Sequence, residues 1–270
     1  MHCIEIPSFK MKYSTSNSQV WAVVKAFPKL IYYSIREHKV LKRIVNEENI
    51  DFIISDNRFG LFHKTVPSAY ITHQLLIKLP KGWAWMEPFV AFVHRCIINR
   101  FTECWVPDFE DMSESLAGEL SHPTKKPRNV RYIGTLSRFS KRCTPYGREN
   151  ITPNLALAIL SGAEPQRTML EKELLTSLQE DQHEDIILVQ GKVEAEQKKY
   201  KVGKVTVYNY MHTEELQENI LKADNIICRS GYSSIMDLHA LGKLQNATLI
   251  PTPGQTEQEY LAEYISNHIK

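Results

Sequence analysis

Ile226-Ile227-Cys228-Arg229-Ser230-Gly231-Tyr232-Ser233-Ser234-Ile235-Met236-Asp237 and, close behind it, Leu249-Ile250-Pro251-Thr252-Pro253-Gly254-Gln255-Thr256-Glu257-Gln258-Glu259 decide the fold of this chain. In each stretch an apolar run gives way to Ser, Gly or Pro and then to helical spacing, which reads as strand, tight corner and helix start. Two such corners in succession place free backbone N–H groups at one edge of a parallel sheet, where the helix dipole favours an anion. A nucleotide diphosphate is the ligand expected at that edge.

Working outward, the second half alternates strands and helices. Strands are expected at 155–160, 186–189, 205–208, 225–228 and 247–250, with helices at 165–178, 214–221, from 233 and from 257, a doubly wound α/β pattern. The first half reads as a helix over 17–48 that Pro28 kinks or splits, strands at 51–55 and 68–72, a helix over 87–101, and strands at 104–106 and 130–133. Gly134, Pro145, Gly147 and Pro153 punctuate a stretch without periodicity. The expected organisation is an N-terminal domain over 1–136, a linker over 137–153 and a C-terminal domain over 154–270.

A chain of 270 residues with 43% hydrophobic content can fill two modest cores. It carries no secretory leader pattern and no apolar run of membrane length, so a cytoplasmic protein is expected. Its cysteines, Cys3, Cys96, Cys104, Cys143 and Cys228, are odd in number and form no CxxC pair, which argues against a disulfide framework. His94 precedes Cys96, but no second ligand pair follows at zinc spacing, and no metal is expected.

The net charge of +2 hides an asymmetry: residues 1–148 carry 22 Lys+Arg against 13 Asp+Glu, and residues 149–270 carry 11 against 18. Between Pro123 and Arg148 lie Lys125, Lys126, Arg128, Arg131, Arg138, Lys141, Arg142 and Arg148 without an acid. Such a stretch suits phosphate or an anionic lipid surface, or is a solvated loop. Between Leu75 and Phe92, Trp83, Trp85, Phe89 and Phe92 crowd around Lys78 and Lys81. This mixture belongs at a lipid interface or in an ordinary buried helix.

Three C-terminal corners are expected to converge on one ligand. Ser161-Gly162-Ala163-Glu164-Pro165 opens the first helix, with Pro165 near the first turn, where a missing N–H costs nothing. Arg229, Ser230 and Gly231 offer a guanidinium, a hydroxyl and an amide to a phosphate. Thr256 and Glu259 have capping-box spacing, leaving the amides of Gly254 and Gln255 at the same edge. Asp237, about one turn into its helix, either accepts ribose hydroxyls or complements the dipole. In the first half, Asp56 and His73 end consecutive strands: each is a candidate acid or base, with a helix N-cap or a structural role as the alternative.

Cys228-Arg229-Ser230-Gly231, the acid at Asp237, Ala240-Leu241-Gly242, the strand into Pro251 and the Gln258-Glu259 pair resemble the donor-binding half of GT-B glycosyltransferases. The nearest likeness is family 28, typified by the enzyme that adds N-acetylglucosamine to the lipid-linked peptidoglycan precursor. It is best over 205–262 and looser over 51–204. The resemblance implies two Rossmann-like domains with a cleft between them and inverting transfer of a hexose or N-acetylhexosamine from a nucleotide-diphosphate sugar, with uridine diphosphate expected, and without a metal. It places Ser161 and Gly162 by the diphosphate, Arg229, Ser230, Gly231, Tyr232 and Ser233 round the nucleotide, Asp237 on ribose, and Gln258 and Glu259 on the sugar. Thr72-His73-Gln74 falls where the family carries a His-Glu-Gln-Asn run facing the cleft.

The family's opening strand and glycine-rich loop have no counterpart in Met1-His2-Cys3-Ile4-Glu5-Ile6-Pro7, and relatives continue beyond the point where this chain stops. Both ends are therefore expected to be shorter and the N-terminal domain incomplete. Three functions compete. The first is a glycosyltransferase working on an acceptor near the inner membrane face, with a carbohydrate or lipid-linked partner and no nucleic acid. The second is an inactive nucleotide-sugar-binding relative, and the third a GT-B nucleotide-sugar epimerase, which needs paired acid and base carboxylates, for which Asp56 is the only obvious candidate.

Overall fold

Both halves of the chain combine helices with a largely parallel sheet. The computed structural model describes residues 3–6, 19–139, 155–192 and 194–268, and it divides between Thr135 and Leu136 into two units. Ser137, Arg138 and Phe139, expected to open a linker, belong to the second unit. Most of the rest of that expected linker, with Lys141, Arg142, Cys143 and Arg148 of the basic stretch, lies outside the described residues.

The N-terminal unit contains α1 (Gln19–Glu47), β1 (Ile53–Asp56), β2 (Ser68–Ile71), α2 (Glu87–Ile98), β3 (Glu103–Val106) and β4 (Val130–Tyr132). Its described strands form one parallel sheet in the order β1-β2-β3-β4. The first helix runs through Pro28 without being split. Leu41 of α1 packs on Ile53 and Leu61, and Glu37 is buried against Arg58, whose Nη2 lies 3.0 Å from Oε1. Gly60 permits this approach: a Cβ there would stand 2.3 Å from the Ser34 carbonyl oxygen. Behind the sheet Tyr70, Cys104 and Val106 close on Ile98 and Phe101, each fully buried apolar side chain contributing about 2 kcal/mol.

The C-terminal unit contains β5 (Leu155–Ile159), α3 (Gln166–Ser177), β6 (Asp185–Val189), β7 (Lys199–Val202), β8 (Val205–Tyr208), α4 (Thr213–Lys222), β9 (Asn225–Arg229), α5 (Tyr232–Ala240), β10 (Ala247–Ile250) and α6 (Thr256–His268). Among the described residues its sheet has six strands in the order β10-β9-β5-β6-β8-β7, parallel except for the hairpin of β7 on β8. Ala156, Ala158, Ile186, Leu188, Val205 and Val207 face α3 through Leu170, Leu174 and Leu178. Leu157 and its register partner Ile226 are buried on the opposite face, where α4 packs on β5. The chain thus winds one way from β5 through β6 to β8 and then reverses to β9 and β10, which makes the β5/β9 boundary the topological switch point. Among the described residues no helix is long and apolar enough to cross a membrane.

Candidate functional site

Neighbouring parallel strands align the C-terminal corners. Ile159 is in register with Cys228, and Arg229 with Ile250, so β5, β9 and β10 end at one edge. Hydrogen bonds tie their corners together. The buried Arg229 donates from Nη2 to the Gln166 carbonyl at 3.1 Å and from Nη1 to the Pro251 carbonyl at 2.9 Å. Ser230 donates its amide to Ile250 and its hydroxyl, at 2.8 Å, to the Gln258 carbonyl.

These bonds give two of the expected site residues a structural task. Arg229 is 5% exposed and Ser230 0%, and both side chains brace the corners from beneath. The cause is local: two carbonyls left over at the ends of neighbouring elements need donors, and a planar guanidinium serves both. Burial lowers the Arg229 pKa from its usual value. Tyr232 is buried as well, while Gly231 is half-buried and Ser233 exposed. The amides of Gly231 and Ser233 have no hydrogen-bond partner among the described residues, and they crown the amino end of α5.

The other corners are partly satisfied by their own side chains. Ser161 and Gly162 are exposed, and Gly162 has φ +100 with open space around it, a conformation that calls for glycine through the backbone alone. Glu164 accepts from the Thr168 amide at 3.2 Å, from the Thr168 hydroxyl at 2.8 Å and from Arg167, whose hydrogen bonds hold its carboxyl below the usual range. Glu259 accepts the Gly254 amide at 3.0 Å. Gln258 accepts the Thr252 amide and donates to the Gln255 side chain. The expected contacts of Gln258 and Glu259 with a sugar thus fall on side chains that shape the third corner.

Asp237 lies on α5 beyond the second corner. Its Oδ1 accepts the Ser137 hydroxyl at 2.6 Å and its Oδ2 accepts Arg138 Nε at 3.2 Å. The site also has a corner that sequence reading missed. Gln190-Gly191-Lys192 follows β6, the other neighbour of β5; Gly191 accepts Arg167 Nη1 at 2.9 Å, and Gln190 and Lys192 both bind the Glu171 carboxylate. The Gln-Gly pair after the strand at 186–189 was the available signal. Among the described residues no group of three His, Cys, Asp or Glu side chains is placed to hold a metal ion.

The N-terminal sheet presents a second polar edge. Asp56 is in register with Ile71, two residues before His73, so both candidates stand at the carboxyl ends of adjacent strands. Among the described residues no helix follows Asp56 before β2, which removes the N-cap alternative. The loop bearing His73 is pinned by the amides of Leu75 and Leu76, which donate to the Leu120 carbonyl at 2.7 and 2.9 Å. The carboxylate of Asp108, unnoticed in the sequence, holds the loop on which Leu120 lies. It is 0% exposed and accepts the Phe109, Leu116 and Ala117 amides and the Ser115 and Ser121 hydroxyls.

His94 adds a pH-sensitive support to the same loop. Its Nδ1 lies 3.4 Å from the Leu75 carbonyl, its Nε2 has no partner among the described residues, and burial pushes its pKa down from 6.5 to about 4. A folded-state pKa below the unfolded one contributes stability that is present above pH 6.5 and lost as pH falls through about 4. At about 1.36 kcal/mol per pH unit the loss approaches ~3 kcal/mol. All four tryptophans precede residue 136, so their fluorescence in urea titrations reports this unit. The stability gap between wild type and His94→Leu should shift by that amount between pH 7.5 and 4, and a constant gap would refute the assignment.

Residues 159–270 match the glycosyltransferase family 28 C-terminal domain, beginning at the last residue of β5. No curated protein matches the chain. Among solved structures, the glycosyltransferase SnogD from Streptomyces nogalater is similar with a TM-score of 0.53 at 11% identity, covering 87% of this chain and 64% of that protein. The glycotransferase of kitacinnamycin is similar with a TM-score of 0.57 at 14% identity, covering 97% of this chain and 71% of its own. The chain therefore spans less than two thirds of SnogD, and these likenesses speak to the fold. With three corners tied at one sheet edge and two units built on largely parallel sheets, the chain has the GT-B fold, and its residues 159–270 match the glycosyltransferase family 28 C-terminal domain.

Proposed function

We propose that the chain is a glycosyltransferase that binds a nucleotide-diphosphate sugar, with uridine diphosphate as the carrier, at the carboxyl edge of β5, β9 and β10. The observation that carries this reading is the alignment of three braced corners beside the β5/β9 switch point, with the amides of Gly231 and Ser233 at the amino end of α5. A helix start of this kind neutralises a leaving diphosphate without a metal, so the reading needs no cofactor. Asp237 holds the ribose. Asp56 and His73 are the candidate bases for the acceptor hydroxyl; the acceptor oxygen bonds the anomeric carbon as the diphosphate oxygen leaves from the opposite face, with inversion.

Calorimetry tests the donor half. Uridine diphosphate should bind in the millimolar range or tighter, and Asp237→Ala should weaken it by about tenfold or more, the loss expected when a charged hydrogen-bond acceptor is removed. Wild-type protein that takes up no uridine diphosphate would dismiss the reading. Transfer of a labelled sugar then separates an enzyme from a protein that only holds its ligand.

The acceptor side of the reading includes a lipid surface. Trp85, Phe89 and Phe92 are 76%, 62% and 53% exposed, and Arg95 lies over the Phe92 ring at 5.6 Å, so the expectation of an ordinary buried helix does not hold for this face. Exposed aromatics beside cations favour an anionic bilayer interface. Sedimentation with vesicles containing about one quarter anionic phospholipid should carry the wild type down. Trp85→Ser with Phe89→Ser should cut that binding at least about fivefold, and equal binding by the variant would rule the surface out.

A further inference from the structure

We infer that Ser137 and Arg138 are positioning residues for the ribose-binding carboxylate, and that through it they set a preference for ribonucleotides over 2′-deoxyribonucleotides. The inference rests on the proposed role of Asp237 and extends it to a segment, residues 136–139, of which 137–139 were expected to open a linker.

This short strap lies on the exposed flank of α5. The Leu136 amide donates to the Met236 sulfur at 3.4 Å, and the Phe139 side chain is buried. The Phe139 amide donates to Ser137 Oγ at 3.1 Å. A hydroxyl has one proton to give, and with an amide on its acceptor side the Ser137 proton points at Asp237 Oδ1, 2.6 Å away. Arg138 takes the other oxygen through Nε, and its guanidinium rests 5.0 Å from the centre of the Phe139 ring. The carboxylate is thereby gripped once on each oxygen.

A gripped carboxylate is still a competent acceptor. Two oxygens offer about four lone-pair directions, of which the strap uses two, one on each oxygen. The remaining pair suits a vicinal diol. The Asp237 side chain keeps 16% of its surface exposed, so it is reachable. It stands five residues beyond the first residue of α5, about 8 Å along the helix axis, which separates a diphosphate at the helix start from a ribose farther along the flank. Without Ser137 and Arg138 the side chain would sample other rotamers and lose orientation before binding, a cost that falls on the two-hydroxyl contact and not on the diphosphate.

The test is calorimetry of the full chain with uridine diphosphate and 2′-deoxyuridine diphosphate. Wild type should prefer the ribonucleotide by about tenfold, and Asp237→Asn should reduce that preference. Ser137→Ala should lower it at least about threefold, weakening uridine diphosphate more than 2′-deoxyuridine diphosphate, which keeps one of the two hydroxyls, and Ser137→Thr, which keeps the hydroxyl, should restore it. Arg138→Gln should act in the same direction, more strongly at low salt. A wild-type preference that Ser137→Ala leaves intact overturns this inference alone. Tighter ribonucleotide binding by Ser137→Ala also overturns it, because the strap would then compete with ribose. If wild type binds neither nucleotide, the donor-site reading falls and this inference with it.

Discussion

On the proposed glycosyltransferase reading, replacing His73 with alanine is expected to lower the rate of sugar transfer by roughly 10²–10⁴-fold, the range for removal of a positioned general base. That corresponds to about 3–5 kcal/mol of transition-state stabilisation. The donor's KM should stay within about threefold, because the corners proposed to hold it belong to the second unit and His73 to the first. His73 follows β2 on a loop whose next amides, those of Leu75 and Leu76, are pinned to Leu120, so its imidazole is carried by a fixed backbone. Asp56→Asn is the companion measurement, since Asp56 ends the adjacent strand in register with Ile71. A large loss in Asp56→Asn with full activity in His73→Ala would move the base to the carboxylate. Full activity in both variants would remove this edge from the chemistry.

Asp108→Ala should destabilise the N-terminal unit by about 3–5 kcal/mol, measured as a shift in the urea midpoint of tryptophan fluorescence. The carboxylate is entirely buried and accepts five hydrogen bonds, three from amides and two from hydroxyls. Alanine takes the acceptor away from all five donors. The individual bonds do not add, since relaxation of the loop recovers some of them through water. Asp108→Asn retains one carbonyl oxygen but turns an NH2 group towards donors, so an intermediate loss is expected. The damage should reach the candidate base as well, because Leu120, on the same loop, accepts the amides that pin the His73 segment. A loss below about 1 kcal/mol in Asp108→Ala would show that the loop is held by other means.

The apolar runs made most strands legible: the segments read at 186–189, 205–208 and 247–250 coincide with β6, β8 and β10 to within a residue. The strand that escaped notice, β7, reads Lys-Tyr-Lys-Val and is exposed at every position. An edge strand buries no face, and its lysines guard the open edge, so it leaves no apolar signature. The corners were legible for the reason that strands were, since Ser-Gly and Pro-Gly end an apolar run sharply. Which side chains look outward was not. Arg229 reads as a phosphate ligand by residue type, yet its partners are carbonyls of Gln166 and Pro251.

Local chemistry, carried in the order of residues, determined the alternation of strand, corner and helix, the parallel sheets and the sheet edge at which an anion is expected. Those features depend on periodicity and turn residues within a few positions of each other. Tertiary structure decided the rest: the burial of Arg229 and Ser230, the five donors around Asp108, and the grip of Ser137 and Arg138 on Asp237, about a hundred residues away. A polar side chain's role is set by which donors and acceptors the fold delivers to it, and that delivery is a property of packing, not of neighbours in sequence.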